Sequence, residues 1–540
     1  MGEVRDDVTI PQVWGEAVQR WPERPFLCVP PNPERAYLAD GYEITYAAAD
    51  REIVHLAEAY QAAGYGMGHR IAVLMENRPE HVLHRLALNS IGAGIVPINP
   101  DYRPAETAYL LEHSEPALIL TIGTRVAQIE AALAESAHRP PILLPETGAL
   151  PPRAAVCATS FTPAPASEAE ILYTSGTTGR PKGCILSHGY EIACGDWYAK
   201  LGGMAALKPG EDRIYNPLPL YHLNSGVVSL FGAISAGCCQ VQTDRFAPAR
   251  WWREVKASRA TIVHYLGIVA PMLLKQEQSE IDRDHVVRFR DRRGIEAELH
   301  CVFEERFGFP LIEIWGMTEF CRVLGDNHHP RQIGSRAFGK AVPGVDVRVV
   351  DDQDNDVEDG TPGEMLVRHS AETPRRGAFS GYLKNAEETE KAWRGGWFHT
   401  GDTVRRDTYG MLHFVDRKKN IIRRSGENIA AAEIEALLLT HPDVAQAAVM
   451  AVKDEVREEE VLACVVTRSG RADNAAAEAL FSYCNERLAY FKAPGWIWFA
   501  EELPTTGTQK IQKHVIFPGN SDPRDAKGMI DLRALKRRGT

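Results

Sequence analysis

Apolar and polar positions change their spacing several times along the chain. Glu52 to Ala63 repeats at helical spacing and Gly64 is a natural stop. Arg70 to Met75 is a short apolar strand, His81 to Ile91 reads as helix, and Gly94 to Ile98 reads as strand. Strand, helix, strand with short Gly-containing joints predicts a parallel α/β sheet. Residues 136–168 are rich in Pro and Ala and predict loops, and the pattern resumes with a strand over Glu168 to Tyr173. From Val342 to Val367, short Val-rich runs alternate with polar turns, a hairpin-like all-β signature. After Gly410 the character changes again: a helix over Ala431 to Leu439, strands over Ala445 to Val452 and Val461 to Val466, and a helix over Asn474 to Leu488. That order predicts a small α+β domain. The tail after Pro518 is polar and charged and predicts a loosely held end.

A length of 540 residues implies several folding units. With 44% hydrophobic and 25% charged residues the chain is an ordinary globular one, which excludes disordered, collagen-like and coiled-coil classes. The net charge of -11 argues against nucleic acid as a general partner. The 10 cysteines contain no CxxC pair, so packed thiols in a reducing compartment are the simpler reading. The N-terminus lacks a signal-peptide apolar core, and no run of about 18 apolar residues predicts a transmembrane segment. A cytoplasmic location is the expectation.

The strongest local signal is the run from Thr174 to Gly183: Thr174, Ser175, Gly176, Thr177, Thr178, Gly179, Arg180, Pro181, Lys182, Gly183. Glycines let backbone N–H groups approach phosphate oxygens, hydroxyls donate further bonds, and lysine supplies charge. Taken alone, GTTG would be a surface loop; the full string is much rarer. It is not a Walker A loop, because Arg180-Pro181 separates Gly179 from Lys182.

This string resembles the phosphate loop of the adenylate-forming (AMP-binding) enzyme superfamily, which includes acyl-CoA synthetases, carrier-loading adenylation domains and luciferases. Four further motifs follow in the family's order: Ile314 to Glu319 (IWGMTE), Gly396 to Asp402 (GWFHTGD), Asp416 to Lys419 with Ser425 to Ile429 and Glu433, and Pro504 to Ile511 (PTTGTQKI). The resemblance implies an α/β fold with a large N-terminal lobe of two α/β subdomains plus a small β-barrel, residues 1–416. A small, mobile α+β C-terminal domain, residues 417–540, would carry the catalytic lysine. The implied reaction turns a carboxylic acid into an acyl-adenylate with ATP and Mg²⁺, then transfers the acyl group to CoA.

The implied roles fall on named positions. Ser175 to Lys182 would hold the β and γ phosphates, with Thr174 opening the loop. Thr318 would contact the α-phosphate, and Glu319 would hold Mg²⁺, a hard cation that prefers oxygen. Trp315, followed by Gly316 and Met317, would offer adenine a flat face or serve as a core aromatic, and both readings stay open. Asp402 would accept from the ribose hydroxyls and Arg417 would be the matching ribose or phosphate contact. Lys510 would reach the carboxylate and the phosphoryl centre, with Gln509 where the family usually has Gly. Lys419 matches the hinge, and Gly426 a small residue lining a pantetheine tunnel. His222, in PLYHLNSG, would gate the acyl site. The segments VVSLFGAISAG and Thr261 to Leu274 would supply apolar walls. Without a fixed charge for an ammonium group, these walls lean toward acyl or aryl acids over amino acids. The GTQKIQKH and EIWGMTE contexts are closest to medium, cyclic or carnitine-type acyl-CoA ligases. The readings held open are free CoA or a carrier protein as acceptor, a catalytically weak nucleotide- or acyl-binding homologue, and a homodimer as assembly state.

One stretch departs from the family. Where small residues line the adenine pocket, this chain has Val287-Arg288-Phe289-Arg290-Asp291-Arg292-Arg293-Gly294. Arg292 and Arg293 stand where close backbone approach favours small residues. Either the loop bulges outward, or adenine binding is impaired, or a compensated frameshift has replaced Ala-Ile-Gly-Ala-Gly at 290–294. A variant restored to that sequence should bind ATP more tightly than the parent in a direct titration; equal affinities would refute the impairment.

Overall fold

The computed structural model describes residues 4–174, 181–266, 269–293, 297–417, 421–504, 511, 513–517 and 522–537. Four sheets organise them. A seven-stranded sheet takes the order Gly381–Tyr382, Lys182–Ser187, Glu168–Thr174, Gly94–Pro97, Arg70–Leu74, Leu118–Thr121, Ile142–Leu143. The strand pairs from Glu168–Thr174 onward are parallel, and the two strands at the other end join antiparallel. An eight-stranded sheet runs from Phe320–Gly325 through Leu311–Met317, Phe289–Arg293, Ile262–Leu266, Arg213–Asn216, Cys239–Gln242 and Pro25–Val29 to Tyr42–Thr45, antiparallel only at its two ends. These are the two α/β subdomains. The small β unit is a four-stranded antiparallel sheet of Asp346–Val350, Gly363–Arg368, Phe398–Arg406 and Leu412–Arg417.

The fourth sheet, six-stranded, comes from residues 421–531 and carries the helices Ala431–Leu439 and Asn474–Arg487. Its long hairpin pairs Val444–Asp454 with Glu458–Thr467. Alternation along Glu458–Thr467 sends Val461, Ala463 and Val465 into one apolar cluster, and Leu462 and Cys464 into another on the opposite face. The position expected for the domain division, 416/417, is at the last residues of the strand Leu412–Arg417, just before Ile421–Arg424 opens the fourth sheet.

The structure corrects several expectations. The helix placed at Glu52 starts at Tyr46, because the Thr45 hydroxyl caps it by accepting from the Ala48 amide at 3.2 Å. The tail after Pro518 is docked: Ile530–Asp531 pairs antiparallel with Trp496–Phe499, Leu532 is buried, and the Lys536 ammonium lies 2.6 Å from the buried Glu460 carboxylate. The stretch Phe289–Arg293 does not bulge. It is a central strand, with Asp291 opposite His264 and Arg292 opposite Glu313. Backbone ladders on both edges hold it there whatever its side chains are. The side chains of 290–293 lie outside the described residues. Among the described residues no helix is long and apolar enough to cross a membrane. Cys238 and Cys239 are buried free thiols, as the sequence suggests.

One buried guanidinium ties the first two sheets together. Arg85, on the helix Pro79–Ser90, donates to Glu170 at 3.0 Å, to Glu191 at 2.7 Å and to the Gly226 carbonyl at 2.7 Å. All three side chains are almost fully buried. Burial raises the Glu191 carboxyl well above its ordinary value against the pull of Arg85. Arg85→Met would keep most of the volume but strand two buried carboxylates, a loss of about 3–5 kcal/mol. The denaturant midpoint of the variant should fall to match; an unchanged midpoint would contradict the clamp.

Candidate functional site

The phosphate-loop string joins two antiparallel strands, Glu168–Thr174 and Lys182–Ser187, with Thr174 and Lys182 directly opposite each other at its base. A Walker loop leads from strand to helix, so this strand–loop–strand frame agrees with the exclusion made above. Ser175, Gly176, Thr177, Thr178 and Gly179 lie outside the described residues. Lys182 does not point free: its ammonium lies 2.8 Å from Glu388 and 4.9 Å from the centre of the Tyr382 ring.

The strand Leu311–Met317 turns at Thr318-Glu319 into Phe320–Gly325. The turn is tied from behind, where Tyr190 donates its hydroxyl to the Thr318 carbonyl at 2.7 Å. Glu319 is nearly buried and accepts the Tyr382 hydroxyl at 2.9 Å. Burial and the neighbouring carboxylate push the Tyr382 hydroxyl far above the usual tyrosine range, so it stays a donor. Glu319 is a hard oxygen donor on the same cavity as Thr174 and Lys182, at the base of the hairpin. Among the described residues no group of three or more His, Cys, Asp or Glu side chains gathers to hold a metal. One carboxylate is enough protein donor for Mg²⁺ where a polyphosphate binds, since phosphate oxygens and water would complete the shell. Glu319 therefore fits that ion.

A cavity of about 140 Å³ is lined by Thr174, Lys182, His222, Met317, Thr318 and Glu319 from the large lobe, with Tyr382 and Thr400. Glu427, Asn428, Glu433, Phe491 and Lys492 close it from the fourth sheet's domain. The His222 ring nitrogen Nε2 lies 3.6 Å from Glu427, whose other oxygen accepts from Asn99 at 3.4 Å. Gly426 sits in a two-residue hairpin, Ser425-Gly426, between Ile421–Arg424 and Glu427–Ala430. Both residues have positive φ, 53° and 90°, the conformation a tight hairpin turn demands and glycine adopts at no steric cost. The turn is what aims Glu427 at His222.

Other expected residues stand apart from this cavity. Trp315 is buried, with its indole N–H donated to Asp402 at 2.8 Å and its ring packed near Phe338. Of its two readings, the core aromatic is the one seen here; neither Trp315, Gly316 nor Asp402 lines the cavity. Arg417 lies opposite Asp402 across the four-stranded sheet, though its side chain is outside the described residues. Lys419 and Lys510 are outside them too. The residues bracketing Lys510, Leu503 and Ile511, belong to the apolar cluster with Leu462, on the sheet face opposite the cluster that Tyr102 of the large lobe packs against.

The two segments expected as apolar walls also differ. Their described residues are core and do not line this cavity. Ser229 and His264 from these segments join Tyr198, Asn216 and Asn224 in a buried polar network: Tyr198 to His264 at 2.7 Å, His264 to Asn224 at 3.0 Å, and Asn216 to Asn224 and Ser229 at 2.9 and 2.8 Å. Burial pushes the His264 imidazole down to about 3, so it is neutral. Periodicity registered the valines and leucines and missed Ser229 and His264 between them. It missed Tyr382 and Glu388 as well, whose partners lie 63 and about 200 positions away.

Residues 15–383 match the family of AMP-binding enzymes, and residues 433–510 match the AMP-binding enzyme C-terminal domain. Crotonobetaine/carnitine–CoA ligase of Escherichia coli O157:H7 is 30% identical over 489 residues, 86% of this chain and 92% of its own length. Sulfoacetate–CoA ligase of Cupriavidus necator is 32% identical over 507 residues, covering 92% and 94%. Among solved structures, o-succinylbenzoate CoA synthetase from Bacillus subtilis is similar in two forms. A double mutant bound to its product analogue OSB-NCoA superposes with TM-score 0.80, at 24% identity over 93% of this chain and 98% of that one. The same enzyme with the acyl-adenylate OSB-AMP gives 0.64, at 23% identity over 94% and 98%.

Glu388 occupies the Lys182 ammonium, which the resemblance expects to face phosphate. Glu388→Gln should tighten ATP binding by roughly threefold to tenfold at low salt and by less at high salt, as expected for a partly exposed charge. Calorimetric titration at two ionic strengths reads this; weaker or unchanged binding would show that Glu388 does not compete.

Proposed function

We propose, from the premise that this chain belongs to the AMP-binding enzyme family, that it activates a carboxylic acid with ATP as an acyl-adenylate and passes the acyl group to CoA. The chain is an AMP-forming acid–thiol ligase. The observation that carries the finer reading is the convergence of Thr174, Lys182, His222, Thr318 and Glu319 on one cavity that both lobes close.

A carboxylate is a poor acyl donor because its leaving group would be oxide. Attack of its oxygen on the α-phosphorus of ATP expels pyrophosphate, and the acyl-adenylate then loses AMP to a thiolate. The protein's part is alignment and charge neutralisation. The hairpin loop above Thr174 and Lys182 would cradle the β and γ phosphates, and Thr318 would donate to the α-phosphate. Glu319, held by Tyr382, would carry Mg²⁺, which supplies Lewis acidity to the phosphate oxygens when bound. Asp402, paired across its sheet with Arg417, would take the ribose, and Trp315 would back it from the core. Lys510 would supply the cation for adenylate formation.

We place the domain division at 416/417 and the hinge at Lys419. The higher similarity to the product-analogue form than to the adenylate form supports reading the present arrangement as the thioester-forming one. Two geometric facts support it as well. The segments bracketing Lys510 sit on the far face of the small domain's sheet. His222 is engaged by Glu427, beside the Gly426 turn where the pantetheine arm would pass. A cytoplasmic location agrees with buried free thiols.

Mixing the protein with ATP, Mg²⁺ and a panel of acids including carnitine, sulfoacetate and o-succinylbenzoate tests the reading. Pyrophosphate should appear only with an accepted acid, and CoA should then yield a thioester. Lys510→Ala should slow adenylate formation by about a hundredfold or more. Adenylate formed without transfer to CoA would point to carrier loading, and no pyrophosphate with any acid would point to a binding protein.

A further inference from the structure

The two lobes meet around a single ammonium group. Lys492, in the segment after the helix Asn474–Arg487, is almost fully buried. Its Nζ lies 2.8 Å from Glu433 of its own domain and 2.6 Å from Glu106 of the large lobe. The Tyr102 ring centre is 4.8 Å away, and Arg103 donates to the Leu488 carbonyl at 3.3 Å. Burial by itself would discharge the ammonium; the two carboxylates outweigh burial and hold it well above its ordinary value.

The two carboxylates differ in one respect that matters. Glu433 begins the helix Ala431–Leu439 and travels with Lys492 wherever the small domain goes. Glu106 opens the helix Pro104–Ser114 of the other lobe, where its second oxygen accepts the Arg103 amide at 2.9 Å. Rotation of the small domain would therefore break the contact with Glu106 alone. The ammonium would keep Glu433 as its counter-charge, and Glu106 would keep its helix-capping bond. Neither charge is stranded by opening, so the contact makes and breaks without the penalty of an unpaired buried ion.

We propose that Lys492 and Glu106 form an arrangement-specific latch that positions the small domain for acyl transfer to CoA and is released for adenylate formation. The latch rests on the ligase reading above. It acts by biasing a two-state equilibrium: an ion pair made in one arrangement and absent from the other shifts the population by its own free energy. The same contact joins Tyr102, Arg103 and Leu488, so one polar pair sets the approach of the whole interface.

Glu106→Gln tests it. Glutamine keeps an acceptor for the Arg103 amide but removes the charge facing Lys492. The thioester step, read by adding CoA to preformed enzyme-bound adenylate in a single turnover, should slow by about tenfold, while adenylate formation without CoA changes by less than about twofold. Glu106→Asp should recover part of the loss. Equal slowing of both steps, or of neither, overturns the latch. Hydrogen exchange supplies a readout that needs no turnover: Glu106→Gln should raise exchange over 104–114 and 488–494 while Val444–Asp454 and Glu458–Thr467 stay protected. Unchanged exchange over both segments also overturns it. If exchange responds as expected while the parent protein releases no pyrophosphate with any acid, the latch stands and the ligase reading fails.

Discussion

A buried guanidinium with two carboxylates is costly unless every partner is held in place, and Arg85 sits where that constraint does most. Its hydrogen bonds reach Glu170 on the strand that ends at Thr174, Glu191 on the helix behind the Thr318 turn, and Gly226 just past His222. The same helix supplies Tyr190, which ties the Thr318 carbonyl. One charge thus sets the separation between the loop expected to take phosphate, the turn carrying Glu319 and the segment carrying His222. Preorganised donors are worth most when their spacing does not relax. Here the spacing is enforced from the core and not at the cavity itself.

The small domain meets this frame through polar contacts. Lys492 with Glu106, Glu427 with His222 and Asn99, and Arg103 with Leu488 all cross the boundary at the cavity rim. The apolar cores of the two lobes stay largely separate, with Tyr102 the large-lobe ring packed against the small domain's cluster. An interface of that kind suits relative motion, because parting it exposes groups that water can solvate. The docked tail has the opposite character. Lys536 and Arg424 share the buried Glu460, which ties the segment after Leu532 into the small domain's own core.

Much of the fold was legible in the residues. Arg70 to Met75, Glu168 to Tyr173 and the helix Ala431 to Leu439 lie where periodicity places them, because short apolar runs bounded by turn residues admit few alternatives. The motif residues Thr174, Lys182, Thr318, Glu319 and His222, drawn from positions 174 to 319, do line one cavity. Trp315 and Asp402 were legible as a motif pair but not as partners to each other. At Arg292 and Arg293 an outward bulge is one of three readings of the sequence, because close backbone approach favours small residues; the backbone instead continues the sheet through them.

The sequence by itself determined the family, the order of the motifs and a large lobe followed by a small domain, since each rests on local residue types at short spacing. Only the tertiary structure decided which groups oppose one another. Tyr382 on Glu319, Glu388 on Lys182, Glu427 on His222 and Glu106 on Lys492 join residues 63 to 386 positions apart. No local pattern encodes such pairs, because a buried charge is satisfied by whatever the packing of distant elements brings within reach.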